Sequence, residues 1–380
     1  MKDLSECRVL IVDDVKANVD VLVQALRDDH KLSVALDGES ALRSIEKNPP
    51  DIILLDIVMP GIDGYEVCRR LRATPATHDI PVMFLSSLEE VRNKMLGFEV
   101  GGNDYLTKPF EILEVKARVR SLLKAKAYSD AVKEKMAAEL AIARDIQRGI
   151  LPSDVAGCVA DTNLDVCAVL EPAREVGGDL YELLRLDDGR LLVAVGDVSG
   201  KGIPAALFMA VTTTLLRTMA RQYRRPEEIV LHVNDALAVQ NPRGMFVTLL
   251  CMIVDHATGI VTCANAGHPP PVLVRPGAVP CTTLGSTAMV SGIMAGIEVG
   301  SETMELQPGD TLVLYTDGVT EAFNAELTMF EEKRLLGSLC GAAGQPADRT
   351  VSAVVDAVHR HSGDYPQSDD LTVVAVRRVR

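Results

Sequence analysis

Four aspartates in the second half of the chain each lie where an apolar run begins or ends, at the expected end of a strand. They are Asp179, Asp197, Asp317 and Asp369, and each is next to a glycine or a small polar residue. Carboxylates that converge on one place raise one another's pKa, so they need a cation to stay ionised. Mg²⁺ and Mn²⁺ accept ligand sets made only of oxygen. The pattern therefore predicts a divalent metal site formed by these four side chains.

A second group of chemically competent residues lies in the first third of the chain. Strands there alternate with helical segments, which predicts βαβ units and a parallel sheet whose site lies beyond the carboxyl ends of the strands. Five side chains fall at such ends: Asp13, Asp14, Asp56, Ser86 and Lys108. Three acids can hold Mg²⁺, and one of them can accept a phosphoryl group that a lysine then pairs with. Five matching positions argue against unrelated loop or capping roles.

Residues 3–122 resemble a response-regulator receiver domain over their whole length. The resemblance is carried by the Asp13-Asp14 pair, the run Asp56-Ile-Val-Met-Pro60-Gly61 and the pair Lys108-Pro109. It implies a doubly wound, five-stranded parallel sheet, phosphorylation at Asp56 and a histidine kinase as phosphodonor. The implied Mg²⁺ ligands are Asp13, Asp14 and Asp56, and the implied switch residues are Ser86, Tyr105 and Lys108.

The composition limits the classes of protein to which the chain can belong. Its 380 residues are enough for two or three domains, and 47% of them are hydrophobic. The net charge of −14 argues against general binding of nucleic acid. The eight cysteines show no C-x-x-C pair, which is typical of reduced thiols. We see no signal peptide and no apolar run of membrane-spanning length, so we expect a cytoplasmic protein without a membrane partner.

The segment between the two acidic groups is predicted to be a long helix. Residues 122–150 are rich in Ala, Lys, Glu, Arg and Leu, and their apolar positions recur every three or four residues. The apolar stripe fits a helix packed on its own domain, and it fits equally well a coiled-coil seam that makes a homodimer. We predict a receiver domain over 1–122, a helical linker over 123–155 and a second domain over 156–380.

The second domain is predicted to be an α+β sandwich, because many antiparallel strands occur there with separate helices. Asp197 is expected to follow the strand Leu191–Val195, Asp317 to follow Thr311–Tyr315, and Asp369 to precede the last strand. Two metals about 4 Å apart, bridged by one carboxylate, can activate a water that attacks phosphorus. The cluster lacks a Cys or Lys placed as a nucleophile, which favours direct hydrolysis over a covalent intermediate.

Residues 164–377 resemble the metal-dependent, type 2C (PPM) Ser/Thr protein phosphatases of the SpoIIE and RsbU branch. The motifs are Gly177-Gly-Asp179, Gly196-Asp197-Val-Ser-Gly, Asn265-Ala-Gly-His268-Pro-Pro, Tyr315-Thr-Asp317-Gly and Ser368-Asp369-Asp370. The resemblance implies an α-β-β-α sandwich in which Asp197 bridges two Mn²⁺ or Mg²⁺ ions, near the Val198 carbonyl. Asp317 and Asp369 complete one metal, and Asp179 contributes directly or through water.

The same resemblance implies a role in partner switching and sigma-factor regulation. Its usual substrate is a phosphoserine or phosphothreonine on an anti-sigma-factor antagonist of the STAS fold. A non-catalytic adaptor that binds a sigma- or anti-sigma-pathway partner is the alternative, but such an adaptor is expected to lack metal ligands. The triplet Gly177-Gly178-Asp179 resembles the start of the GGDEF signature of diguanylate cyclases, yet Leu-Tyr follows it and the other motifs do not fit. A DNA-binding output would need a basic recognition element.

Three further side chains have two interpretations each. His268 could protonate the leaving group, but a turn residue positioned by its neighbours is the favoured interpretation. Lys201 and Arg174 could attract the substrate phosphate, and solvated surface positions explain them equally well.

Overall fold

Short apolar runs in the N-terminal part of the chain become buried strands in the computed structural model, which describes residues 4–86, 94–239, 241 and 243–380. Two compact units are present, Met1–Ala138 and Glu139–Arg380. The strands of the first unit are β1 (Arg8–Val12), β2 (Lys31–Ala35), β3 (Ile52–Asp56), β4 (Val82–Ser86) and β5 (Asp104–Thr107). All neighbours pair in parallel, in the order β2-β1-β3-β4-β5.

Helices cover both faces of this sheet. They are α1 (Lys16–Leu26), α2 (Gly38–Lys47), α3 (Gly64–Ala73), α4 (Lys94–Glu99) and α5 (Ile112–Ile150). Ile45 of α2 and Leu71 of α3 pack in one hydrophobic core. Leu22 of α1 and Val119 of α5 pack in another. Two cores flanking one parallel sheet confirm the doubly wound fold, and the peptide between Lys108 and Pro109 is cis.

Helix α5 is longer than the sequence indicated. It begins at Ile112, so the predicted start near Leu122 is wrong and the predicted boundary between 122 and 123 lies inside one continuous helix. Its first turns are buried through Val115, Val119 and Leu123. Further along, most of the predicted apolar stripe is exposed, including Tyr128, Val132, Met136, Ile142 and Ile146. Helical periodicity alone did not mark the boundary because the receiver's last helix has the same period.

Two antiparallel sheets form the second unit. The first contains β7 (Leu180–Arg185), β8 (Leu191–Val198), β9 (Val247–Val254), β10 (Ile260–Ala266) and β13 (Glu302–Glu305), in the order β13-β10-β9-β8-β7. The second contains β6 (Leu164–Glu171), β11 (Val272–Val274), β12 (Cys281–Thr282), β14 (Thr311–Tyr315) and β15 (Leu371–Arg378), in the order β12-β11-β14-β15-β6. The helices are α6 (Val155–Val159), α7 (Ile203–Gln222), α8 (Pro226–Val239), α9 (Asp317–Thr320), α10 (Glu331–Cys340) and α11 (Ala347–Ser362).

Alternation along the strands builds three apolar layers, because successive side chains point to opposite faces. Val193 of β8 and Leu314 of β14 lie in the core between the sheets. Ala194 of β8 faces the other way and packs with Met209 and Leu216 of α7. Helices α10 and α11 cover the outer face of the second sheet. This arrangement confirms the predicted α-β-β-α sandwich.

Helix α7, with 20 residues, is long and apolar enough to cross a membrane by length and composition alone. No apolar segment of membrane-spanning length was expected from the sequence, and α7 is an exception to that expectation. Met209, Leu216 and Ala220 of the helix are fully buried in the core against the first sheet. These contacts are those of a core helix.

Candidate metal centres

The N-terminal acidic cluster forms where two neighbouring parallel strands end. Asp13 and Asp14 follow β1, and Asp56 is the last residue of β3. One carboxylate oxygen from each residue lies within 4.8 Å of the others. Among the described residues, this trio is the one group of three or more metal-ligating side chains with that spacing. Asp13 and Asp56 are buried while Asp14 is exposed, so the cluster opens to solvent on one side.

Lys108 joins the two buried acids of this cluster. Its Nζ lies 2.9 Å from Asp13 Oδ2 and 2.8 Å from Asp56 Oδ1. Burial raises the pKa of Asp56 to about 6, although the hydrogen bond and charge of Lys108 act in the opposite direction. A hard cation coordinated by the three acids would supply further positive charge, so this donor set fits Mg²⁺.

Ser86 and Tyr105 lie in the next two strands. Ser86 closes β4 and is buried, and its hydroxyl finds no hydrogen-bond partner among the described residues. A buried hydroxyl without a partner is costly, and an incoming phosphoryl oxygen can satisfy it. Tyr105 in β5 packs its ring 5.4 Å from that of Phe84 and 5.2 Å from that of Phe98.

The C-terminal acids come from both sheets of the sandwich. Asp179 immediately precedes β7, Asp317 is the first residue of α9 after β14, and Asp369 precedes β15. Asp197 lies within β8 and pairs with Thr248 of β9, so the prediction that it follows the strand is wrong. The ladder between β8 and β9 continues to Val198, and this keeps Asp197 in extended backbone.

The charges of these carboxylates act on one another. Burial, followed by the charges of Asp317 and Asp369, raises the pKa of Asp197 to about 7. Burial also raises the pKa of Asp179 well above its ordinary range, with Asp197 as the next cause. The pKa of Asp317 is raised by burial, by Glu321 and by Asp369. Such mutual repulsion is the condition that a divalent cation removes, and the donor set consists only of oxygen.

Glycine keeps space open at this centre. A Cβ built on Gly178 would lie 2.9 Å from the Val198 carbonyl oxygen and 3.5 Å from Asp197 Oδ1. The absence of that atom leaves both oxygens accessible from the same side. The cradle therefore fits the predicted use of Asp197 and the Val198 carbonyl around a metal ion.

Two threonine side chains hold the Asp179 carboxylate in place through hydrogen bonds. Its Oδ2 accepts hydrogen bonds from Thr316 Oγ1 at 2.7 Å and from Thr372 Oγ1 at 2.5 Å. Thr316 is next to Asp317, and Thr372 is in β15. The second oxygen of Asp179 is therefore the one left for the acidic centre, and the two sheets are joined through the same carboxylate.

Asp369 and Asp370 face in different directions. Asp369 Oδ2 lies 2.8 Å from Lys201 Nζ, and both side chains are partly exposed. Asp370 is buried, and its carboxylate accepts hydrogen bonds from the backbone of Ala173 at 2.8 Å and of Gly178 at 2.7 Å. Asp369 is therefore available to the centre, whereas Asp370 holds the loop that precedes Asp179.

His268 is buried away from solvent. Its Nδ1 lies 2.9 Å from Thr248 Oγ1, and its backbone is held on both sides by the Asn265 side chain. Burial lowers the pKa of His268 to about 3. The contacts of His268 with Thr248 and with the Asn265 side chain are those of a residue that fixes a turn, so this geometry favours the turn interpretation.

Two polar contacts near the centre carried no clear sequence signal. The Gln147 side chain of α5 donates to the Gly177 carbonyl at 2.7 Å and accepts from the Gly177 N–H at 3.2 Å. Arg217 of α7 binds the buried Glu182 carboxylate at 2.7 Å and the Ile150 carbonyl at 2.5 Å. A glutamate inside the apolar strand β7 was the only hint of the second contact.

Comparison with known proteins assigns both parts of the chain. The family described as Stage II sporulation protein E (SpoIIE) matches residues 187–379, and the response regulator receiver domain matches residues 9–120. The first match begins after Asp179, so that residue lies outside it.

Full-length relatives share only parts of their length with this chain. Response regulator PleD of Caulobacter vibrioides is 42% identical over 131 residues, which cover 34% of this chain and 29% of PleD. Protein IcfG of Synechocystis sp. is 27% identical over 267 residues, covering 63% of this chain and 41% of IcfG. The chain thus spans less than half the length of both relatives.

Solved structures match the second unit. The SiaA-PP2C domain of Pseudomonas aeruginosa has a TM-score of 0.58 at 24% identity, covers 65% of this chain and 98% of its own, and supports the fold. The RsbU and RsbW domains of Rv1364c from Mycobacterium tuberculosis match with a TM-score of 0.50 and 31% identity over 57% of this chain and 60% of that chain.

Proposed function

Because the chain belongs to the Stage II sporulation protein E (SpoIIE) family and also carries a response regulator receiver domain, we propose that it dephosphorylates phosphoserine or phosphothreonine in another protein under receiver control. The observation that supports this proposal is the convergence of Asp179, Asp197, Asp317 and Asp369 from two facing sheets. The raised pKa values of Asp179, Asp197 and Asp317 indicate a centre that needs cations.

The catalytic centre would hold two Mn²⁺ or Mg²⁺ ions. When bound, such ions supply a hydroxide nucleophile at neutral pH and neutralise phosphoryl oxygens. Asp197 would hold both ions, and the Val198 carbonyl would contribute beside it; support comes from the charges of acids on both sheets that act on Asp197 and from the open space at Gly178. Asp317 and Asp369 would complete one ion. Asp179, fixed by two threonines, would act directly or through water.

The receiver site would take a phosphoryl group from a histidine kinase. Asp56 would be the acceptor, and Asp13, Asp14 and Asp56 would hold Mg²⁺. Lys108 is placed to pair with the new phosphate, because it already contacts Asp56. The Ser86 hydroxyl, which has no hydrogen-bond partner in the described part of the chain, would bind a phosphate oxygen, and Tyr105 would rearrange with it.

We further propose that the substrate is an anti-sigma-factor antagonist of the STAS fold. Support comes from the similar protein Rv1364c of Mycobacterium tuberculosis, which has an RsbU and an RsbW domain. The proposal extends to a homodimer in the cytoplasm, since the exposed apolar side chains of α5 would be covered by a second copy. Sedimentation of the full chain with and without Met136→Glu tests the pairing, which fails if both are monomeric.

A phosphatase assay tests the catalytic proposal. Purified protein is incubated with p-nitrophenyl phosphate and with phosphorylated STAS-domain proteins, in Mn²⁺ or EDTA. Turnover in Mn²⁺ that EDTA removes supports the proposal. Binding of a phosphorylated STAS protein without any turnover would instead favour the adaptor alternative. Repeating the assay after treatment with acetyl phosphate shows whether the receiver changes the rate.

A further inference from the structure

An open groove lies in the second unit, between the end of α5 and the loop that follows β6. Its volume is about 660 Å³. The lining residues are Arg144, Arg148, Pro172, Ala173, Arg174 and Glu175. Three arginines against one glutamate make this surface basic, although the chain as a whole carries a net charge of −14.

The arginines of this groove are poorly matched by acids of the chain. Within the described residues, Arg148 and Arg174 make no ion pair, and Arg144 has only a 3.7 Å contact with Asp145. Arg144 and Arg148 are four residues apart, so they lie on one helix face, where like charges repel. The helix dipole favours Arg148 in the last turn of α5, but it explains neither Arg144 nor Arg174. An external anion would complete the cluster.

The groove continues into the catalytic centre. Ala173 and Arg174 also line a narrow recess whose other walls include Lys201 and Asp369. Both sides of the groove are held in place. Ala173 is fixed by the Asp370 carboxylate, and Gln147 holds α5 to Gly177 through two hydrogen bonds. A ligand in the groove would therefore lie at a fixed position relative to the acidic centre.

We propose that Arg144, Arg148 and Arg174 bind acidic side chains of the substrate protein close to its phosphorylated residue. This inference rests on the proposed phosphatase function and names the chemical class of the segment that the site prefers. Guanidinium groups bind carboxylates through paired, charge-assisted hydrogen bonds. The substrate would then place its phosphate at the cations and its carboxylates at the arginines. Complementary charge would also accelerate encounter at low salt.

Matched phosphopeptides test this selectivity. One peptide carries Asp and Glu around a phosphoserine, and the other carries Asn and Gln at the same positions. In the Mn²⁺-loaded full chain, Arg144→Gln/Arg148→Gln is expected to lower kcat/KM for the acidic peptide about tenfold, mainly through KM. The amide peptide and p-nitrophenyl phosphate are expected to be unaffected. Added NaCl should reduce the wild-type preference for the acidic peptide.

The control variant is Arg221→Gln/Arg349→Gln, which removes the same charge from exposed positions outside the groove. It should keep the peptide preference. Equal losses on both peptides and on p-nitrophenyl phosphate would overturn the inference, because the arginines would then act on the centre itself. An unchanged preference in the groove variant would also overturn it.

Failure of the phosphatase proposal is separable from failure of this one. If wild type turns over no substrate in Mn²⁺, the catalytic proposal fails, and peptide binding is followed by fluorescence anisotropy instead. Tighter binding of the acidic peptide that is lost in the groove variant still supports arginine recognition. Equal binding of the two peptides, or binding that inorganic phosphate alone displaces, contradicts it.

Discussion

The two acidic centres of this chain are built in different ways. In the receiver, Asp13, Asp14 and Asp56 come from adjacent parallel strands and lie within 4.8 Å of one another. In the phosphatase unit, the acids are contributed by two facing sheets, and they do not form such a compact group. Each centre contains a lysine, but Lys108 bridges two buried acids whereas Lys201 contacts the partly exposed Asp369.

This difference shows how topology controls a metal site. Adjacent strand ends of one parallel sheet bring acids together through the backbone alone. Acids on facing sheets meet only when the whole sandwich is packed and when the connecting loops are held. Asp370 and the two threonines behind Asp179 provide that support. The phosphatase centre therefore depends more strongly on contacts distant in sequence.

The largest expected effect is at Asp197. Asp197→Asn should lower Mn²⁺-dependent hydrolysis by about 1,000-fold or more, because a bridging ligand supports several kcal/mol of transition-state stabilisation. In the metal-free protein the same variant should unfold at a higher temperature, because it removes a buried charge whose pKa is raised to about 7. Steady-state kinetics and thermal unfolding measure the two effects.

The exposed Asp364→Asn is the control for this variant and should change neither quantity. Hydrolysis that survives in Asp197→Asn would refute the metal centre. The contrast between a metal site on one parallel sheet and a metal site between two facing sheets would then no longer hold.

The receiver cluster is tested by Asp56→Asn. Wild type should take up radiolabel from acetyl [³²P]phosphate in Mg²⁺, and the variant should take up none, because the acceptor carboxylate is missing. Asp20→Asn, an exposed change on α1, should label normally. If acetyl phosphate alters phosphatase activity equally in Asp56→Asn, then the receiver switch is assigned to the wrong residue.

The two lysines should differ in their effect on stability. Lys108→Ala leaves Asp13 and Asp56 buried without their counter-charge, so it should cost about 3 kcal/mol of unfolding free energy at pH 7. Lys201→Ala removes a partly exposed pair and should cost less than about 1 kcal/mol. Urea unfolding without metal, followed for each unit, gives both values. If the two substitutions cost similar unfolding free energy, the greater burial of the ion pairs of Lys108 does not make them more stabilising than that of Lys201.

The smallest expected effect is a pH dependence. The pKa of Asp56 is raised by burial to about 6, above its value in the unfolded chain. Such a group contributes stability that is present at low pH and is lost as the pH rises through 6. Without metal, wild type should therefore lose about 1 kcal/mol more than Asp56→Asn between pH 5 and pH 7. Mg²⁺ should reduce this loss, and parallel stability curves would contradict the burial argument.

Sequence patterns predicted the sheet types, many of the strands and the close approach of Asp13, Asp14 and Asp56, since these follow from local periodicity and from acids next to apolar runs. They did not predict that Asp197 lies inside β8, because the strand's end is set by pairing with β9. The start of α5 was missed because its buried first turns and its exposed later turns have the same helical periodicity. The contacts of Gln147 with Gly177 and of Asp370 with Gly178 join residues far apart in sequence, and no local pattern encodes them.

The position of Asp370 also sets the order in which the chain can become active during synthesis. Its carboxylate shapes the loop before Asp179, and Asp370 comes 192 positions after Gly178 in the chain. At ~5–20 residues per second, roughly 10–40 s separate the emergence of these two residues from the ribosome. The N-terminal unit, which ends at Ala138, can therefore be complete while the phosphatase centre still lacks its last strand. A nascent chain would be able to receive a signal before it could act on one.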